Sequence, residues 1–152
     1  MIEENKINIP IKYHNEIVKP VVQLGDWIDL RIADNIDAKV GDFVQVSLGI
    51  SMALPEGLEA HVLPRSSTFR KYGLLLGNSQ GIIDNAYRGE NDVWGADFYA
   101  TRDIKVQAGT RLLQFRLVKT QAESLNAALN FDDKNPYPQA KDRGGFGSTG
   151  AK

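Results

Sequence analysis

Asn78-Ser79-Gln80-Gly81-Ile82-Ile83-Asp84-Asn85-Ala86-Tyr87-Arg88-Gly89-Glu90 is the stretch that the remaining sequence is built to present. Gly81 and Gly89 bracket the β-branched pair Ile82-Ile83, and Asn85 tolerates the left-handed backbone that a tight reversal needs. The segment therefore reads as a β-hairpin with Asp84 near its tip. An acid placed directly after two isoleucines implies that the backbone turns there and aims Asp84 at a cleft. The plainer alternative is an Asp whose carboxylate caps its own turn. This segment alone leaves both open.

On the amino side, apolar residues recur with a period near two from residue 7 to 13, interrupted by Pro10, as in an edge strand. In Gly25-Asp26-Trp27-Ile28-Asp29-Leu30-Arg31-Ile32, alternation puts Ile28, Leu30 and Ile32 on a core face and turns Asp29 away from it. Residues 43–48 alternate as a half-buried strand, and Pro55-Glu56-Gly57 turns the chain into another strand over 58–63. The sequence then reads Pro64-Arg65-Ser66-Ser67-Thr68-Phe69-Arg70-Lys71-Tyr72-Gly73, the one place where a helix is expected. Ser66 or Ser67 can cap it and Gly73 can end it. Free backbone N–H groups, two hydroxyls and Arg65 would together suit an anion, while an ordinary capped helix with a solvated basic face fits equally well.

Beyond the central stretch, 92–100 carries aromatics on a strand, and its Trp94 and Asp97 receive no role. In Arg111-Leu112-Leu113-Gln114-Phe115-Arg116-Leu117-Val118-Lys119 both faces are mixed, so this strand is expected to be covered on each side. A Gln there needs partners, because an unpaired one costs about 1–3 kcal/mol. Residues 121–131 allow a helix but are read as extended, and 132–139 reads as a linker. The sequence ends in Arg143-Gly144-Gly145-Phe146-Gly147-Ser148-Thr149-Gly150, where flexible N–H groups with Arg, Ser and Thr suit a phosphate and Phe146 offers a face to a base.

About ten short strands and at most one short helix make an all-β barrel or jelly-roll-like sandwich. At 152 residues one domain is the simplest organisation. Lys+Arg total 18 against 19 Asp+Glu, so no global charge draws nucleic acid or an anionic membrane, and any anion site is local. The lack of cysteine excludes thiolate catalysis, Cys-ligated zinc and a disulfide framework. No apolar run is long enough for a signal peptide or a span, and a soluble, intracellular, cytoplasmic protein is the expectation.

Five separated pieces resemble, in order, the trimeric deoxyuridine triphosphate nucleotidohydrolases (dUTPases): 25–31 around Asp29, Pro64-Arg65-Ser66-Ser67, 78–90, Arg111-Leu112-Leu113-Gln114 and 143–150. The resemblance covers nearly the whole sequence. It implies a homotrimer of distorted jelly-roll (β-clip) subunits, a β domain over 1–131, and a C-terminal arm over 132–152 that closes a site shared between chains. By resemblance Asp84 is the carboxylate that activates the water attacking the α-phosphorus of dUTP. Tyr87 packs on the deoxyribose, and Asn78 with backbone groups around Gly81, Ile82 and Ile83 reads the uracil edge. Arg65, Ser66, Ser67 and Gln114 hold phosphates, and Asp29 contacts the hydration shell of Mg²⁺. Phe146, with Gly147 beside it, closes over the base, while Ser148 and Thr149 grip the γ-phosphate.

That division suits the chemistry, since anhydride cleavage needs an in-line water, a base and positive charge on the phosphates. Mg²⁺ keeps waters and phosphate oxygens, so no His or Cys cluster is required. His14 and His61 are read as surface or packing residues. Two departures stand out: Ala86 replaces a second acid found in many members, and the tail has two residues fewer between Arg143 and Phe146 than the family's Arg-Gly-x-Gly-Gly-Phe, so either Arg143 or Lys141 meets the γ-phosphate. The alternatives are a dCTP deaminase of the same fold and a phage-type dUTPase that also binds a regulatory protein, with 90–100 as its surface.

Overall fold

The structure is a computed structural model that describes residues 5–134, 137–147 and 150–151; the expected phosphate contacts Ser148 and Thr149 lie outside the described residues. Its strands form four antiparallel groups. β1 (Ile11–Tyr13) pairs with β6 (Ile50–Met52), and β4 (Ile36–Ala38) pairs with β11 (Ile104–Val106). A three-stranded sheet runs β5 (Phe43–Ser47), β10 (Gly95–Ala100), β8 (Leu74–Leu76). A five-stranded sheet runs β2 (Val22–Gln23), β3 (Ile28–Arg31), β12 (Arg111–Lys119), β7 (Leu58–Pro64), β9 (Gly81–Ile83). The all-β expectation holds.

Between these sheets lies one core that includes Leu30, Ile32, Val46, Leu48, Leu54, Leu74, Trp94, Phe98, Leu112, Leu113 and Phe115. Of the expected core face of β3 and its flank, Leu30 and Ile32 are buried and Ile28 packs against them from a partly open position. β12 explains its own mixed pattern. Its register with β3 shifts between Arg111 and Leu113, so the successive residues Leu112 and Leu113 are both fully buried, which a regular two-residue alternation forbids. Trp94 meets Phe115 edge to face at 5.3 Å and 81°. Trp94→Ala is expected to cost about 3–5 kcal/mol, read as a shift in the urea midpoint.

Two local expectations are corrected. Residues 121–131 are not extended throughout, because α2 (Gln121–Leu125) is helical. The reason is visible in Thr120-Gln121-Ala122-Glu123: the Thr120 hydroxyl accepts from the Glu123 N–H at 3.4 Å, and Asn126 ends the helix in left-handed backbone at φ 50°. The described residues thus hold two short α-helices, not one at most. α1 (Thr68–Tyr72) lies where expected and ends at Gly73, φ 64°, where an added Cβ would come within 2.8 Å of the Arg102 side chain. Neither serine caps it. Thr68 is buried instead and donates its hydroxyl to the Leu112 carbonyl at 2.6 Å, which fixes the helix start against the bulge of β12.

The second correction concerns the hairpin. Reversal occurs before β9, over residues 77–80, with Ser79 at φ 63°, and not at Asn85. The two arms then part: β8 joins the three-stranded sheet and β9 the five-stranded one. In segment 90–100, Trp94 and Phe98 are buried and β10 is the middle strand of its sheet, while Gly95, Asp97 and Tyr99 face outward. From Gln121 onward every described residue is exposed.

Candidate active site

Because β8 and β9 are each the last strand of their sheet, the space between them is bordered by two strand edges that no further strand covers. A cleft of about 570 Å³ opens beside them, lined by Leu76, Asn78, Gly81, Ile83 and Tyr87 from the stretch read first, and by Val62, Val93, Trp94 and Ala96. Asp34, Gln45, Ser47 and Asp97 add polar groups. Gly81 is required by close approach: an added Cβ would lie 3.1 Å from Cβ of Val62 on the facing strand. Ile82 turns outward and does not line the cleft, as alternation along β9 demands. An edge of main-chain donors and acceptors beside an amide side chain can recognise a flat heterocycle by its rim.

Tyr87 stands at the mouth, and its hydroxyl donates to the Val93 carbonyl at 3.0 Å, so the ring is tied to the opposite wall. Asp84 follows β9 immediately. Its Oδ1 accepts from the Ala86 N–H at 2.7 Å and its carbonyl accepts from the Tyr87 N–H at 2.9 Å. The self-capping turn is therefore real, and it does not consume the carboxylate: the residue is exposed, and among the described residues Oδ2 has no hydrogen-bond partner. Asn85, assigned only a backbone role from sequence, instead sends Nδ2 to the carbonyls of Pro55 and Leu58, each at 2.7 Å. Glu90 is pinned by Lys12 at 2.8 Å, whose hydrogen bond and charge hold its carboxyl below the usual range. That tie is present above the ordinary Glu range and is lost as pH falls through the lowered value. Ser51 donates to the Glu90 carbonyl at 2.6 Å and is itself 2.9 Å from Nε2 of His14, an exposed surface residue. His61 pairs with Glu59 at 2.6 Å.

A second cluster forms where β3, β7 and β12 lie side by side. Asp29 Oδ2 is 3.2 Å from Arg65 Nε and 3.1 Å from Arg111 Nη1. Two guanidinium groups against one carboxylate leave a surplus positive charge, and Asp29 orients both. Gln114 is opposite Asp29 in the ladder and donates to the Pro64 carbonyl at 3.2 Å, bracing the backbone just before Arg65. Ser66 and Ser67 are exposed, and their hydroxyls have no partner among the described residues. Arg111 receives no role from the sequence, and its place opposite Arg31, two ladder pairs from Asp29, has no local signal. Among the described residues no group of three or more His, Asp or Glu is disposed to hold a metal.

The two clusters are far apart in one chain. β9 pairs with β7 as Val62 to Gly81 and Ala60 to Ile83, which puts Asp84 level with Glu59, six residues before Arg65. At about 3.3 Å per residue along a strand, Asp84 and Arg65 are separated by roughly 20 Å. Of the arm residues, Arg143, Phe146 and Gly147 are exposed and do not line the cleft of their own chain.

A parted pair of strand edges thus borders the cleft, and the exposed Asp84 carboxylate follows the cleft-lining Ile83 in the chain. The chain belongs to the dUTPase family, whose model matches residues 27–150. It is 43% identical over 148 residues to the SPbeta prophage-derived deoxyuridine 5'-triphosphate nucleotidohydrolase YosS of Bacillus subtilis (strain 168), covering 96% of this chain and all of the relative. Among solved structures it is similar to the Staphylococcus bacteriophage 80alpha dUTPase with dUPNHPP, described as controlling transfer of virulence genes, at TM-score 0.73 and 16% identity over 96% of this chain and all of that one. A mutant dUTPase from phage phi11 of S. aureus, described with a structural Mg(II) ion, matches at TM-score 0.70 and 14% identity over 84% of this chain and 98% of that one. These two likenesses establish the fold.

Proposed function

We propose that the protein hydrolyses dUTP to dUMP and pyrophosphate, with Asp84 as the proton acceptor. The observation that carries this reading is the Asp84 carboxylate, next along the chain from the cleft-lining Ile83, held by one oxygen and open at the other, in a chain of the dUTPase family. Uracil presents an imide N–H between two carbonyls, a pattern that the uncovered edges of β8 and β9 and the Asn78 amide complement. Asp84 Oδ2 accepts a proton from a water whose oxygen bonds to the α-phosphorus; the bond from that phosphorus to the bridging oxygen breaks and pyrophosphate leaves.

Roughly 20 Å between Asp84 and Arg65 is too far for one α-phosphate to meet both from the same chain. A homotrimer with shared sites resolves this: one chain supplies Asn78, Asp84 and Tyr87, a second supplies Arg65, Ser66, Ser67, Arg111 and Gln114 to the phosphates, and a third supplies the arm with Arg143, Phe146, Gly147, Ser148 and Thr149. The Asp29 carboxylate, already shared between two arginines, suits an outer contact through water and not direct ligation of a bare ion. Mg²⁺ would arrive on the triphosphate oxygens and neutralise developing charge there.

Pyrophosphate release from dUTP with Mg²⁺, and no ammonia release from dCTP, is the result expected; ammonia from dCTP would favour the deaminase. Tyr87→Ala is expected to raise kcat/KM for UTP relative to dUTP by about 10-fold or more, because the ring that crowds C2′ is removed. An unchanged ratio of the two would remove Tyr87 from sugar selection. A further protein-binding role, in keeping with the control of transfer of virulence genes described for the phage 80alpha enzyme, has an available surface in Phe43, Tyr99 and Leu75, which sit opposite one another across the exposed face of β5, β10 and β8. Pull-downs with and without dUTP test it.

A further inference from the structure

We infer that Asn85 is the positioning residue of the reaction: it fixes the direction in which Asp84 presents its open oxygen. This rests on the reading of Asp84 as proton acceptor. The backbone ladder between β7 and β9 stops at Ala60 and Ile83, one residue before Asp84. Beyond that point the peptide carrying the carboxylate has no strand partner. Asn85 continues the attachment with its side chain, donating both amide hydrogens at 2.7 Å to the carbonyls of Pro55 and Leu58, with the Leu54 carbonyl at 3.4 Å. Residues 54–58 form the turn that opens β7, so Asn85 ties Asp84 to the far side of the same strand that β9 already follows.

The consequence is directional. With Ile83 held by the ladder and Asn85 by two amide bonds, the backbone of Asp84 is fixed on both sides, and the Ala86 N–H then sets the carboxylate rotation through Oδ1. Oδ2 is left aimed by a frame in which Asn85 stands outside the cleft: it is absent from the lining that holds Asn78, Gly81, Ile83 and Tyr87. Removing it therefore acts on the reaction and not on recognition of the base. A shift on the order of 1 Å in a reacting group can lower rate by about 100-fold.

In the full-length protein, Asn85→Ala is expected to lower single-turnover kcat for dUTP by about 30- to 100-fold while the affinity for dUPNHPP stays within about threefold of wild type. Parallel loss of kcat and affinity, or kcat within threefold of wild type, overturns the inference. Should Asn85→Ala not fold, the isosteric Asn85→Asp decides. Its carboxylate faces carbonyl oxygens, is raised in pKa, and donates one hydrogen bond only when protonated. The ratio of its kcat to that of wild type is expected to climb as pH is lowered from 8 to 5.5. A ratio constant across that range overturns the inference. Hydrolysis by wild type and its loss in Asp84→Asn are the controls; if those fail, the reading of Asp84 fails and not that of Asn85 alone.

Discussion

Asp84→Asn is expected to lower dUTP turnover by about 10²- to 10⁴-fold while leaving nucleotide affinity close to wild type. The structure makes this a clean substitution. An Asn in that place keeps a carbonyl oxygen for the Ala86 N–H, so the turn persists, and its NH₂ group replaces the open oxygen with a donor. A water that had given its proton there has nowhere to give it. Nothing that lines the cleft changes, since Asp84 is not among the lining residues. Single-turnover hydrolysis beside equilibrium binding of dUPNHPP reads both quantities, and turnover within tenfold of wild type would remove Asp84 from the role.

Truncation before Arg143 is the other large effect. Every described residue from Gln121 onward is exposed, and the buried core closes with Phe115. Loss of the arm therefore uncovers no core of its own chain, and the melting temperature and oligomeric mass by light scattering are expected to match the full-length protein. Activity is expected to fall by about 100-fold or more, because on the proposed reading the arm supplies the ring and donors that complete the site around nucleotide. An active truncated protein would contradict the assignment of Phe146 and its neighbours to closure.

The parts of this molecule that were legible in the sequence are those set by near neighbours. Gly73 ends α1 because a left-handed residue is needed there, and Asp84 turns because β-branched residues stop before it. The mixed faces of β12 imply cover on each side, whereas the structure buries Leu112, Leu113 and Phe115 and leaves Arg116 exposed; the bulge that buries Leu112 and Leu113 together has no local signature. The capping pattern Thr120-x-x-Glu123 marks the start of α2, a local signal that the reading of 121–131 as extended does not use. What stayed hidden depends on ladders between distant segments. Asp29 meets Arg65 and Arg111 only because β3, β12 and β7 are adjacent, and Asn85 meets Pro55 and Leu58 only because β9 follows β7. Asn is as common at turns for its backbone as for its side chain, so its letter alone favoured the wrong use.

The parting of β8 and β9 into different sheets has a bearing on how such a pocket survives change. Peptide groups along an uncovered edge are chemically the same whichever residue carries them, so recognition written there is insensitive to most substitutions and sensitive to the course of the main chain. Mutational drift can then replace most letters while the opening persists, as the shared architecture with the bacteriophage 80alpha enzyme at 16% identity illustrates. Insertions of a single residue between Gly77 and Gly81 would be far more damaging than any exchange of Ile82, whose side chain looks outward.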